Sequence, residues 1–164
     1  MILGMPPFTF FHVLLSVIGI LSGVVVVLGL IAGKRFDGWT LVFLTTTLAT
    51  SVTGFLFPFH KLLPSHVLGA MSLVLLAFAI YGRYSRRLAG GWRLTYVITA
   101  VISFYFNVFV LIVQLFEKVP ALRALAPTQS ESPFKIAQLS ALLLFVLLGF
   151  LSARGFRREA IATA

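Results

Sequence analysis

Any chemistry in this chain of 164 residues would begin with its three histidines, His12, His60 and His66. Neutral imidazole is the commonest metal donor, and two histidines from different helices are what a b-type haem needs for its axial positions. There is no cysteine, which excludes disulfides, thiolate metal sites, covalent c-type haem and thiol redox chemistry. No His-x-x-x-His or Glu-x-x-His pair shares a helix, so a closed zinc site would lack a fourth donor. Nucleophilic hydrolysis needs a base oriented by a third group, and no Gly-x-Ser-x-Gly turn or comparable arrangement occurs. The four acids, Asp37, Glu117, Glu131 and Glu159, all fall in loops or at ends, which argues against proton-coupled transport. The residues favour binding over catalysis, and the chain is read as a non-enzyme.

What must position the histidines is membrane-spanning helix. Hydrophobic residues make up 60% of the chain and charged residues 10%, against about a quarter charged in soluble domains. Apolar runs occupy about 8–32, 39–57, 65–84, 94–116 and 134–153, each long enough for a span of about 20 residues. The fold class expected is all-α, a five-helix transmembrane bundle forming a single domain over 1–164. The first run is too long for a signal peptide and has no basic residue before it, so it is taken as retained. Pro58 and Pro64 bracket His60 and Lys61, and proline restricts the residue before it and removes a donor, so one helix should stop near Phe57 and the next begin near Ser65.

Orientation follows from the basic residues. Lys34, Arg35, Arg83, Arg86, Arg87, Arg93, Arg154, Arg157 and Arg158 fall on one side, and Lys61, Lys118, Arg123 and Lys135 on the other. The larger group belongs inside, so the N-terminus is expected outside and the C-terminus cytoplasmic, in the inner membrane. The net charge of +9 is then a topology signal, and nucleic acid is not an expected partner. Trp39, Trp92 and Tyr84 are read as interface anchors. The loop 117–133, with a short helix between Pro120 and Pro127, lies outside and would cover the mouth of the bundle.

Within this frame all three histidines lie at the outer level, and Gln114, Glu117 and Gln138 reach the same stratum. On the fourth run Thr95, Thr99, Ser103, Asn107 and Gln114 fall within about 120° at helical spacing, a stripe that lipid would not tolerate and that must face the bundle. Thr46, Thr50 and Thr53 share a face of the second run, their hydroxyls suited to a carbonyl one turn back or to a neighbouring helix. Gly19 with Gly23, and Gly29 with Gly33, have the spacing of close helix approach, inside the bundle or at a dimer face.

The first expectation is therefore a binding or accessory protein with an outer ligand pocket lined by His12, His66, Asn107, Gln114 and Gln138. A second is a redox component holding haem b or a divalent metal through His12 and His66, with His60 as a further donor. A third is a small-molecule or lipid transporter subunit, and a fourth an accessory subunit. Membrane lipids, a second copy of the chain or a larger membrane complex are the partners these readings imply.

Overall fold

The computed structural model describes residues 5–57 and 64–162, without the side chains of 64, 65 and 158–162. His60 and the turn that carries it lie outside the described residues. The described residues are mostly helical and form no strand: α1 (Pro7–Ile31), α2 (Asp37–Gly54), α3 (Pro64–Ile80), α4 (Trp92–Lys118), α5 (Pro120–Leu125) and α6 (Ser132–Ala162). Pro7 sits in the first turn of α1, where its missing amide would have had no partner.

Side-chain contacts fix the direction of each long helix. At one end the start of α2 meets the end of α3 through Asp37 and Arg83, and the start of α4 meets α6 through Arg93 and Phe156. At the other, the start of α1 meets the end of α2 through His12 and Thr53, and Phe116 of α4 stacks on Phe134 of α6 at 5.4 Å. The five long helices therefore run alternately up and down. In the plane α4 touches α1, α2, α3 and α6, while α1 bridges α2 and α6.

α1, the segment His66–Ser85, α4 and the segment Ser132–Arg157 are long and apolar enough to cross a membrane. α2, diluted by its threonines, is not among these four, although it runs alongside them from end to end. Only 11% of the apolar window of α6 is buried within the protein, and Leu139, Leu143, Val146 and Phe150 stand exposed on it. Surface of that kind requires an apolar surrounding.

Because lipid tails are as apolar as leucine, helices in a membrane associate by close packing rather than by the hydrophobic effect. Glycines supply it here. A Cβ on Gly23 would stand 2.8 Å from the Phe104 ring, and one on Gly155 would strike the carbonyl of Ile31, so α6 and α1 meet backbone to backbone. Gly29 and Gly33 do other work. Gly29 leaves room for the ring of Phe36, and Gly33 takes φ 69° in the α1–α2 turn, a conformation glycine adopts without strain.

Several boundaries move. α2 stops at Gly54 rather than Phe57, and α6 runs on through Arg154 and Arg157 to Ala162, because no proline follows Ala153 and the single Gly155 weakens a helix without ending it. α3 ends in a wider π-type turn over Tyr81–Ser85, where the Arg86 amide donates to the Tyr81 carbonyl at 3.0 Å. Of the interface anchors, Trp39 and Tyr84 are exposed, while Trp92 is half-buried against the Tyr81 ring at 5.0 Å.

Candidate functional site

Three of the five residues expected to line a pocket do so. His12 of α1, His66 of α3 and Asn107 of α4 border one cleft with Ser16, Thr50, Ser51, Ser72 and the rings of Phe55 and Phe106. Its volume is about 100 Å³, the room of a few water molecules or one small ring, against at least about 300 Å³ for a typical ligand cleft. Among the described residues no carboxylate or basic amine lines it, so these walls are uncharged when the imidazoles are neutral.

The sequence folds this way because α2 carries hydroxyls at successive turns along the inner face. Thr53 donates to the Ala49 carbonyl at 2.7 Å. A hydroxyl has one proton to give, so the 2.8 Å contact between its Oγ1 and His12 Nδ1 is a bond donated by the imidazole. That tautomer is assigned from the network, and it leaves a lone pair on His12 Nε2. The ring is steered further by Phe57, edge-on at 5.0 Å.

One turn earlier, Thr50 is 8% exposed and its hydroxyl has no hydrogen-bond partner among the described residues. It lies on the wall of the cleft. A buried hydroxyl left without a partner costs about 1–3 kcal/mol, so a bound group that pairs with it gains that amount. Across the cleft Ser51 gives its proton to the Thr47 carbonyl at 2.9 Å and its oxygen stands 3.3 Å from the Ser72 hydroxyl, so Ser72 is engaged with Ser51. His66 is buried beside the Phe55 ring at 5.8 Å.

The floor is set by Gly19. A Cβ there would lie 3.2 Å from Thr47 Oγ1, 3.3 Å from Asn107 Nδ2 and 3.3 Å from Thr46 Oγ1. Glycine thus lets the Asn107 amide reach across to α2 and donate to Thr47 at 3.3 Å.

The rest of the stripe on α4 is not a conduit. Thr99 and Ser103 are buried, and their hydroxyls bond to the carbonyls of Thr95 and Thr99 at 2.7 and 2.8 Å, within their own helix. Gln114 is exposed and lies away from the cleft. Gln138 is half-buried on α6 and donates at 3.3 Å to the Phe109 carbonyl, also away from the cleft. Nor does the loop after α4 line it: Gln129 donates to the Val113 carbonyl at 3.0 Å, which ties that loop to α4.

Among the described residues no group of three or more histidines and acids stands close enough to hold a metal ion. His12 and His66 face a space smaller than a porphyrin, and its other polar walls are hydroxyls and one amide, poor ligands for zinc. The described residues do not fit haem or a divalent metal, and His60 lies outside them. Thr50 and Ser72 were missed as cleft residues in the sequence; the shared face of Thr46, Thr50 and Thr53 was the available signal. No protein-family model, curated protein or solved structure matches the chain.

Proposed function

We propose that this chain is a five-span, non-enzymatic protein of the inner membrane, N-terminus outside, that binds a small uncharged ring bearing hydroxyl or carbonyl groups. A quinol or quinone headgroup has this chemistry. The observation that carries the reading is the meeting of His12, His66, Asn107 and the unpartnered Thr50 hydroxyl in one cleft. His12 Nε2 accepts from a ligand hydroxyl, Thr50 donates to a ligand oxygen, and the rings of Phe55 and Phe106 flank its apolar frame. Its hydrocarbon tail would leave between the helices into lipid.

Counting α2 as the fifth span is supported by its running from Asp37, beside Arg83, to Thr53, beside His12. With its hydroxyls bonded back to carbonyls of its own helix or turned to the cleft, a threonine-rich helix is tolerable in a bundle. The orientation rests on the excess of basic residues at the Arg83 end.

The test uses the full chain in neutral detergent, titrated with decylubiquinol and decylubiquinone while its melting temperature is followed. A saturable rise that disappears in His12→Ala, Thr50→Val and Asn107→Leu is the expected result. No rise with either compound, or an equal rise in all three variants, would refute the reading.

A further inference from the structure

Tyr105 is the midpoint of α4 (Trp92–Lys118), which at 1.5 Å per residue places it about 20 Å from either end and in the middle of the hydrocarbon. It lines a groove of about 200 Å³ between α4 and α6, with Val101, Ile102, Phe145, Gly149 and Phe150 beside it. The ring is held by Phe145 at 5.5 Å and Phe109 at 6.1 Å. Among the described residues the Tyr105 hydroxyl is the one polar side-chain group on the groove wall, and it forms no hydrogen bond. This side of the bundle is also the least covered: 11% of the apolar window of α6 is buried, against 28% or more for the other three candidate spans.

The bilayer core offers neither water nor acceptors, so a hydroxyl there stays unpaired unless protein supplies its partner. An acyl chain lying in the groove would cover the ring and leave the hydroxyl as it was. A second copy of the chain would not. Copies inserted by the same charge rule share one orientation, so a twofold axis between them runs along the membrane normal and each residue meets its counterpart at its own depth. A phenol both donates and accepts, so one Tyr105 satisfies another. The face fits itself in shape as well. A Cβ on Gly149 would meet only Val101, at 3.6 Å, so the space above this glycine is open, and its neighbour Phe150, 62% exposed, projects at nearly the same depth. Hole and knob on one face are what an isologous contact requires. No charged residue lies between Arg93 and Glu117 on α4 or between Lys135 and Arg154 on α6, so the contact opposes no like charges.

The geometry points to a homodimer face formed by α4 and α6, with the two Tyr105 hydroxyls bonded to each other across the twofold axis and Phe150 of each copy seated over Gly149 of the other. The assignment needs the membrane reading but not the histidine cleft, so failure of one leaves the other standing.

Because the chain has no cysteine, a single introduced thiol reports contact between copies. The full chain is reconstituted in phosphatidylcholine vesicles as Val146→Cys, on the proposed face, or as Val74→Cys, comparably exposed on α3, and is oxidised over a range of protein-to-lipid ratios. Val146→Cys gives a disulfide-linked dimer and Val74→Cys does not. Adding Gly149→Leu, which fills the hole from the lipid side, abolishes the dimer without lowering the melting temperature in detergent. Adding Tyr105→Phe, which keeps the ring and removes only the hydroxyl, raises the ratio needed for half-maximal dimer about threefold, the equivalent of one average interhelical hydrogen bond in a membrane. Equal crosslinking at the two positions, as from random collision, would overturn the assignment. So would no crosslinking at Val146→Cys, as when lipid or another protein covers the face, or a dimer unchanged by Tyr105→Phe. If Gly149→Leu does not fold, Tyr105→Phe decides.

Discussion

At the arginine end the helices are fastened by direct contacts, with a cavity of about 680 Å³ opening between the α3–α4 loop and the last turns of α6. Gly155 admits the Ile31 carbonyl, Arg83 is buried beneath Asp37 with the Tyr96 ring 5.2 Å away, and Arg93 is locked to Phe156. At the histidine end the same helices separate around hydroxyls, imidazoles and an amide, one hydroxyl lacks a partner, and a cleft remains. Both ends bury polar groups and both leave some unpartnered, the Tyr96 and Ser152 hydroxyls at the arginine end and Thr50 at the other, but only Thr50 stands on the wall of the histidine cleft. Close packing with paired charge holds the bundle together, and open packing with unspent hydrogen bonds makes a place for a ligand.

The sharpest way to break this contrast is at Gly155. Gly155→Ala places a methyl against a backbone carbonyl that no side-chain rotation can move, so we expect a loss of about 2 kcal/mol and a lower melting temperature in detergent. Next is Asp37→Asn, which leaves the buried Arg83 guanidinium without its anion. A buried polar group deprived of its partner costs about 1–3 kcal/mol, and the high exposure of Asp37, 81%, puts the expected loss at the lower end, read by the same melt.

At the histidine end the cost of substitution should be small and the effect on binding large. Asn107→Leu removes one long interhelical bond, worth about 0.6 kcal/mol, and abolishes the melting shift given by decylubiquinol. If it destabilised as strongly as Gly155→Ala, the two ends would not differ as described.

The smallest effect is expected at Glu131. Desolvation raises its pKa, but bonds from the Thr128 hydroxyl and from the Thr128 and Ser130 amides together outweigh it and hold the carboxyl below its usual value. A lowered folded value means its support is complete above the unfolded pKa, about 4.3, and is lost as pH falls through the folded one. Amide exchange in 128–132 should quicken in that acid window and not in Glu131→Gln.

Much of the helical framework was legible because apolar runs of span length and proline punctuation are one-dimensional signals. That His12 and His66 stand toward the same end of the bundle was legible for the same reason. Their meeting with Asn107 in the plane was not, since it depends on α4 standing against both α2 and α3. Gln114 shows the limit: seven residues beyond Asn107 it occupies nearly the same angle on α4, yet it is exposed and does not line the cleft. Gly155 carried no partner at four-residue spacing to mark it, and its role arises only from the backbone of another helix. α2 was legible as a helix despite its threonines, because hydroxyls that bond to their own helix do not alter its periodicity.

The reading of the cleft is tested most directly by nuclear magnetic resonance of the detergent-solubilised chain with 15N-labelled histidine, titrated with decylubiquinol. The His12 and His66 imidazole signals should shift together and saturably, and Thr50→Val should abolish both shifts. Signals that stay in place, or that drift without saturating and equally in Thr50→Val, would contradict a ligand in the cleft.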